Sequence, residues 1–262
     1  MIHLERIKRE IDQDPKTIYI MKEQLEQQFP AHKHGKGELL FVTGGIAFLK
    51  TDDKEYYIPS QHYIWIPRGT MHNIKHNSSE ITIHSIYFVD EDDLSHPFYG
   101  NLGIYPVNKL LQEMMHFTEN WQGNFSTENW QYEFLLTIKH LLCRVGGKKF
   151  SIQLPRTEDK RLLEITKYIN QHIQESLSLS DIALEFGISV RNLTRLFQQG
   201  LHISFLQYVK MLRIIKAMDL LQKNEMNISQ VAYHVGYSSI AAFSNTFQQL
   251  VNMRPSDFKL LK

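Results

Sequence analysis

The chain has one cysteine in 262 residues, Cys143, so no internal disulfide can staple it. Set in the apolar stretch HLLCRV, that thiol reads as core filler rather than as a nucleophile. Long hydrophobic runs are missing as well. None approaches the roughly 18 residues that a membrane helix needs, and the opening MIHLERIKREIDQDPK has no apolar centre for a secretory signal. A cytoplasmic protein with no membrane partner is the expectation. An excess of one charge is also absent. The formal net charge is +1, with 22% charged and 42% hydrophobic residues, which excludes a disordered chain and leaves enough apolar material for ordinary cores.

What is present divides in two, as a length of 262 residues favours. Residues 156–262 carry 13 Lys and Arg against 9 Asp and Glu, whereas residues 1–155 are net negative, so the C-terminal part is the one suited to a polyanion. From Thr17 to Phe88 the runs ELLFV, IAFL, YYIP, HYIWIP and ITIHSIYFV are rich in β-branched and aromatic residues. They are separated by TGG at 43–45, TDDK at 51–54, PRG at 67–69 and HNSSE at 76–80, a spacing that predicts an antiparallel barrel or sandwich. The acidic run at 90–93 reads as a solvated loop closing the strands. From Val107 the period changes from two to about 3.6. Val107, Leu110, Leu111, Met114 and Met115, then Trp130, Phe134, Ile138, Leu141 and Leu142, predict two amphipathic helices that pack on the strands or make a dimer interface. GGKKFSIQLPRTEDK, 146–160, reads as a linker. The expected division is an all-β domain over 1–103, helices over 104–146, a linker over 147–158 and an all-α domain over 159–262.

The all-α part contains an internal repeat. SLSDIALEFGIS, starting at Ser178, matches NISQVAYHVGYS, starting at Asn227. Each copy opens on a capping-box pattern, Ser178-x-x-Asp181 or Asn227-x-x-Gln230, in which the first side chain takes an orphan helix N–H and the fourth reaches back. Gly187 or Gly236 then ends the helix in a left-handed position. Ser189 or Ser239 starts a second helix, with Leu193 and Phe197, or Phe243 and Phe247, facing inward at i and i+4. Each unit is a helix-turn-helix, and its second helix has the dimensions to enter a major groove. The amphipathic stretch SFLQYVKMLRIIKAMDLLQ, from Ser204, joins the two.

Residues from about 160 to 262 resemble the DNA-binding domain of the AraC/XylS family of bacterial transcription regulators, through SLSDIALEFGISVRNLTRLF, YVKMLRIIKAMDLL and ISQVAYHVGYSSIAAFSNTFQQLVNMRPSDFK. The resemblance implies two helix-turn-helix units that enter successive major grooves of double-stranded DNA. By position it makes Arg191, Thr194 and Arg195 the base-facing residues of the first recognition helix, with Ser189 near the phosphates. Arginine pairs bidentately with guanine. The second recognition helix departs from the family's polar pattern: Ser239 is followed by Ile240 and Ala241, which suit thymine methyls, and Asn245 suits adenine. His202 stands where the family has a glycine, and Asn252 at the equivalent place in the second copy, both residues that tolerate a left-handed backbone.

In the N-terminal part, His32, His34, Glu38 and Gly45 spell H-x-H-x3-E-x6-G, and Pro67-Arg-Gly69-x2-His72 follows a strand. On a strand, residues i and i+2 share a face, so His32 and His34 converge, and a neighbouring strand brings in Glu38 and His72. Three imidazoles and a carboxylate suit a divalent metal such as Zn, Fe, Ni or Mn. The spacing resembles the two motifs of the cupin barrel, the second only in part, with Gln61 for a glycine and His76 for an asparagine. In AraC-type regulators the resemblance implies an effector sensor, with or without metal. Phe41, Tyr63 and Trp65 are expected to line the same pocket as His32, His34, Glu38 and His72. The reading is therefore a non-enzymatic, homodimeric regulator whose cupin-like domain binds a small molecule and whose helical domain binds DNA, with RNA polymerase as a further partner. No cofactor is required. The alternative is a metal-dependent cupin enzyme carrying a DNA-binding tail.

Overall fold

ELLFV and HYIWI are buried along their whole length, so each strand sends one set of alternate side chains to either face of its sheet. The computed structural model describes residues 9–23, 28–76, 80–89, 93–145, 149–150 and 152–261. Parts of the HNSSE turn, of the acidic run at 90–93 and of the expected linker lie outside the described residues. The strands are β1 Ile18–Glu23, β2 Gln28–His32, β3 Gly37–Thr43, β4 Ile46–Lys50, β5 Lys54–Pro59, β6 His62–Ile66, β7 His72–His76, β8 Thr82–Phe88, β9 Gly103–Pro106, β10 Gly123–Phe125 and β11 Gln153–Pro155. A six-stranded sheet has the order β10-β1-β8-β3-β6-β9, and a five-stranded sheet the order β11-β5-β4-β7-β2. The registers run antiparallel.

The expected barrel is not closed. No pairing joins the two sheets among the described residues, because the outer strands β9, β10 and β11, of 3–4 residues, are too short to carry the ladder around. Gln61, at the tight turn between β5 and β6, takes the left-handed conformation that its glycine-like position demands, at φ 60°. The segment read as a linker holds β11, which pairs with β5.

Two compact units divide the chain: 1–51 with 58–150, and 52–57 with 151–261. In the first, the outer face of the six-stranded sheet meets α1, Lys109–Phe117, and α2, Trp130–Val145. Asn108 caps α1 by accepting the Leu111 N–H at 2.9 Å. Ile18, Ile20, Leu39, Phe41, Tyr63, Trp65, Ile86 and Phe88 pack there with Leu111, Met115, Leu135, Ile138 and Leu142. The buried stripe of α2 is thus shifted from the sequence reading: Trp130 is 62% exposed, and so is Leu110 of α1 at 53%, whereas Tyr132 and Leu135 are buried. Trp65 has no exposed surface, and its indole N–H donates to the Tyr99 carbonyl at 2.8 Å.

The second unit holds α3 Lys160–Gln171, α4 Leu179–Glu185, α5 Val190–Gly200, α6 Phe205–Lys223, α7 Ile228–His234, α8 Ile240–Val251 and α9 Pro255–Lys259. α6 is the spine: Ser204 and Gln207 form a complete capping box at its start, Asn224 closes it at φ 57°, and Leu212, Ile214, Ile215, Met218 and Leu221 are buried along it.

His62 on β6 carries a stability prediction. Its imidazole is buried, its Nδ1 meeting the Ser60 carbonyl at 3.0 Å, and burial lowers its pKa from 6.5 to about 4. Above pH 6.5 the ring is neutral in both folded and unfolded chains. Below that the unfolded chain takes up a proton that the fold refuses, so stability falls between pH 6.5 and 4 by about 3 kcal/mol from this residue. Denaturant melts of wild type and His62→Gln across that range should show a shallower acid limb in the variant.

Candidate functional site

The histidine site is built by an irregularity. Along β2 and β7, Gln28 faces Lys75 and Phe29 faces Ile74, but His32 then faces His72, so β2 carries one extra residue. That bulge reverses the parity between Phe29 and His32 and lays the His32 ring 4.4 Å from that of His72, centroid to centroid. Pro30 sits inside it, tolerable because β2 is an edge strand that needs no further donor there. His34, just beyond the strand, brings its ring 5.3 Å from that of His72. Glu38 enters from β3 of the other sheet: its Oε2 lies 3.1 Å from His34 Nε2 and 3.4 Å from His72 Nε2.

Each ring is oriented from behind. Nδ1 of His32, His34 and His72 meets the backbone carbonyls of Pro30, Lys36 and Thr70 at 2.9, 2.7 and 2.9 Å. Those contacts make Nδ1 a protonated nitrogen and turn each Nε2 inward, where that of His34 donates to Glu38. The nitrogens of all three lie within 4.8 Å of one another, and Nε2 of His32 and of His72 has no hydrogen-bond partner among the described residues. Burial, and then the neighbouring His72, lowers His32 to about 4. Burial works against the charge on Glu38, yet the hydrogen bond from His34 and the nearby His72 ring outweigh it and hold the carboxyl well below its ordinary range. Burial likewise opposes a charged His34, and its bond to Glu38 raises it. Sequence reasoning missed Ser85, whose hydroxyl donates to Glu38 Oε1 at 2.7 Å, and Tyr87, whose ring stands edge-on 5.0 Å from His34. Cross-strand parity with β3 was the available signal.

Phe41, Tyr63 and Trp65 do not belong with this cluster, which corrects the single pocket expected from sequence. Glu38 and Phe41 are three residues apart on one strand and so point to opposite faces; Tyr63 pairs with Phe41, and Trp65 with Leu39, on the helix side.

In the second unit, both helix-turn-helix copies take their expected turns, with Gly187 at φ 61° and Gly236 at φ 87°. Only the second capping box is complete. Asn227 and Gln230 satisfy each other's backbone N–H, whereas Ser178 accepts from Asp181 N–H and Asp181 returns to the Ser178 hydroxyl, its side chain being one carbon shorter than that of Glu or Gln. Ser189 and Ser239 cap α5 and α8. Their separation is one residue larger than that of Ser178 and Asn227, so the second turn is longer by one residue. His202 at φ 57° and Asn252 at φ 59° hold left-handed positions after the two second helices. On α5, Arg191, Thr194 and Arg195 stand exposed at i, i+3 and i+4, with Leu193 and Phe197 buried behind them. Arg195 donates to Asn192 Oδ1 at 3.0 Å, and the Thr194 hydroxyl to the Val190 carbonyl at 2.9 Å. On α8, Ile240, Ala241 and Asn245 are exposed, a face without a formal charge.

A twin helix-turn-helix following a ligand-binding β-rich unit defines a DNA-binding regulator. Residues 162–260 match the family described as a helix-turn-helix domain, and residues 15–94 that described as an AraC-like ligand binding domain. The chain belongs to the AraC family of transcriptional regulators. It is similar to the HTH-type transcriptional activator RhaR of Mannheimia succiniciproducens, 20% identical over 92% of this chain and 91% of that one. It is also similar to the HTH-type transcriptional regulator YdeC of Bacillus subtilis, 23% identical over 88% and 86%. A solved AraC-type transcriptional regulator from Chromobacterium violaceum is 35% identical over 38% of this chain and 88% of its own, with a TM-score of 0.37.

The two turn glycines differ in a way that can be measured. A Cβ on Gly187 would meet nothing within 4 Å, so Gly187→Ala should cost only the left-handed backbone strain, about 1 kcal/mol. On Gly236 a Cβ would stand 2.6 Å from both the Ile173 carbonyl oxygen and Arg213 Nη2. Gly236→Ala should therefore lose clearly more, and thermal melts of the two variants would rank them.

Proposed function

We propose that the protein reads DNA mainly through α5 and that its N-terminal unit is a small-molecule sensor with a divalent metal among its ligands. The observation that carries the DNA reading is the single exposed face of Arg191, Thr194 and Arg195, backed by the cap residue Ser189. The α8 face of Ser239, Ile240, Ala241 and Asn245 adds contacts of lower discriminating power. Effector binding shifts DNA affinity through a coupling of about 1–3 kcal/mol. The protein acts in the cytoplasm as a homodimer, contacts RNA polymerase and catalyses no reaction. The exposed Leu110, Phe117 and Trp130 of α1 and α2 supply the surface for a second copy.

His32, His34, His72 and Glu38 fit a metal because the histidine nitrogens are already oriented and two of them are buried without a partner. A cation held there would supply a Lewis-acidic centre inside the N-terminal unit. Elemental analysis of protein purified without chelators should give near-stoichiometric metal that His34→Ala abolishes; metal-free wild type would leave the cluster as a polar pocket wall.

The DNA reading is tested on duplexes selected from a random pool. Arg195→Ala should lose preference at one base position by about 1–3 kcal/mol while leaving random-sequence binding nearly intact. Equal loss on both kinds of DNA would remove Arg195 from the base-reading set.

A further inference from the structure

Beside the histidine cluster, and on the other face of the sheet, the first unit has a cleft of about 550 Å³, within the roughly 300–1,000 Å³ of small-molecule sites. It lies where the helix-facing surface turns from apolar to polar. One row across β1, β8, β3 and β6 reads Ile20, Ile86, Leu39, Trp65, all buried in the core. Two residues along, the row reads Lys22, His84, Phe41, and after it Thr82 faces Thr43. A sheet face that only had to receive a helix would continue with Ile or Leu. Here a lysine, an imidazole and two hydroxyls line an open space instead.

His84 is the second observation. Its residue is 5% exposed, it lines the cleft, and its Nε2 is buried with no hydrogen-bond partner among the described residues. A buried nitrogen left unpaired costs free energy that a ligand group would recover. Burial, with Lys22 alongside, lowers its pKa to about 4, so the ring is neutral and its tautomer is free to donate or to accept. Opposite stands a wall of the other sign, Glu113 on α1 and Glu119 just after it. Glu119 is held by His116 at 2.9 Å, while neither Lys22 nor Glu113 has an ion-pair partner among the described residues. Phe41 and Met115 give the cleft its apolar surface.

We propose that this cleft binds a small zwitterion of the amino-acid class, its carboxylate on the Lys22, His84 and threonine wall and its ammonium toward Glu113. Charge-assisted hydrogen bonds of both signs from opposite walls select such a molecule over a neutral one or a simple anion. The inference deepens the sensor reading, on which it rests for its regulatory consequence, and it places the ligand away from the metal-ligating histidines.

The test is a calorimetric and thermal-shift screen of the full chain against the individual L-amino acids. At least one should bind and raise Tm. Lys22→Met and Glu113→Gln should each weaken binding about tenfold or more, and His84→Phe, which fills the cleft with an apolar ring of similar size, should abolish it. No binding to wild type, or binding that survives His84→Phe and Glu113→Gln, would overturn the site. Binding with the expected variant pattern but no change in DNA affinity would keep the site and reject the sensor reading.

Discussion

A strand has two faces, and the central strands β3 and β8 put a different problem on each. One face of β3 offers Glu38 to His34 and His72, and the other offers Leu39 and Phe41 to the helix-packed core. Because alternation is fixed by the pleat, no rotation of a single side chain can mix the two sets. The separation of the candidate metal ligands from the aromatic core, and from the cleft at His84 on that core's side of the sheet, follows from this one constraint. A register slip by one residue would bury the carboxylate in the aromatic core and point Phe41 at the imidazoles.

Much of this was legible in the sequence. The repeat of SLSDIALEFGIS and NISQVAYHVGYS locates both helix-turn-helix units to the residue, since capping side chains and turn glycines act locally and leave a local trace. The strands from Ile18 to Phe88 follow from their β-branched and aromatic runs and from the turn residues between them. What the sequence hides is whatever depends on partners far along the chain. The bulge in β2 that brings His32 to His72 has no composition of its own, and the short strands β9, β10 and β11 exist only because an edge was waiting for them. The aromatic residues misled for a related reason: strand spacing shows that Phe41, Tyr63 and Trp65 are buried, but the face they share is decided by counting from Glu38. For α2, apolar periodicity alone did not separate Trp130, which is exposed, from Tyr132, which is not.

The two helix-turn-helix copies share a plan and differ in chemistry. The first has arginines on its exposed face and an incomplete capping box; the second has a complete box, an uncharged face and a turn glycine wedged against Ile173 and Arg213. In the second copy the packing tolerates less, and the outward face commits less charge. Such a division suits a scaffold in which one unit discriminates among sequences and the other adds area, since phosphate and guanine contacts depend on cationic side chains and methyl contacts do not.

The burial of Trp65 has a spectroscopic consequence. The chain has three tryptophans, Trp65, Trp121 and Trp130, and all precede residue 150. Intrinsic tryptophan emission therefore comes entirely from the first unit, with Trp65 in a dry, hydrogen-bonded setting and Trp130 largely in water. The helical DNA-binding unit is dark at those wavelengths, while it holds most of the α-helix that far-ultraviolet circular dichroism records. The two signals, followed together, distinguish the melting of one unit from that of the other without any label.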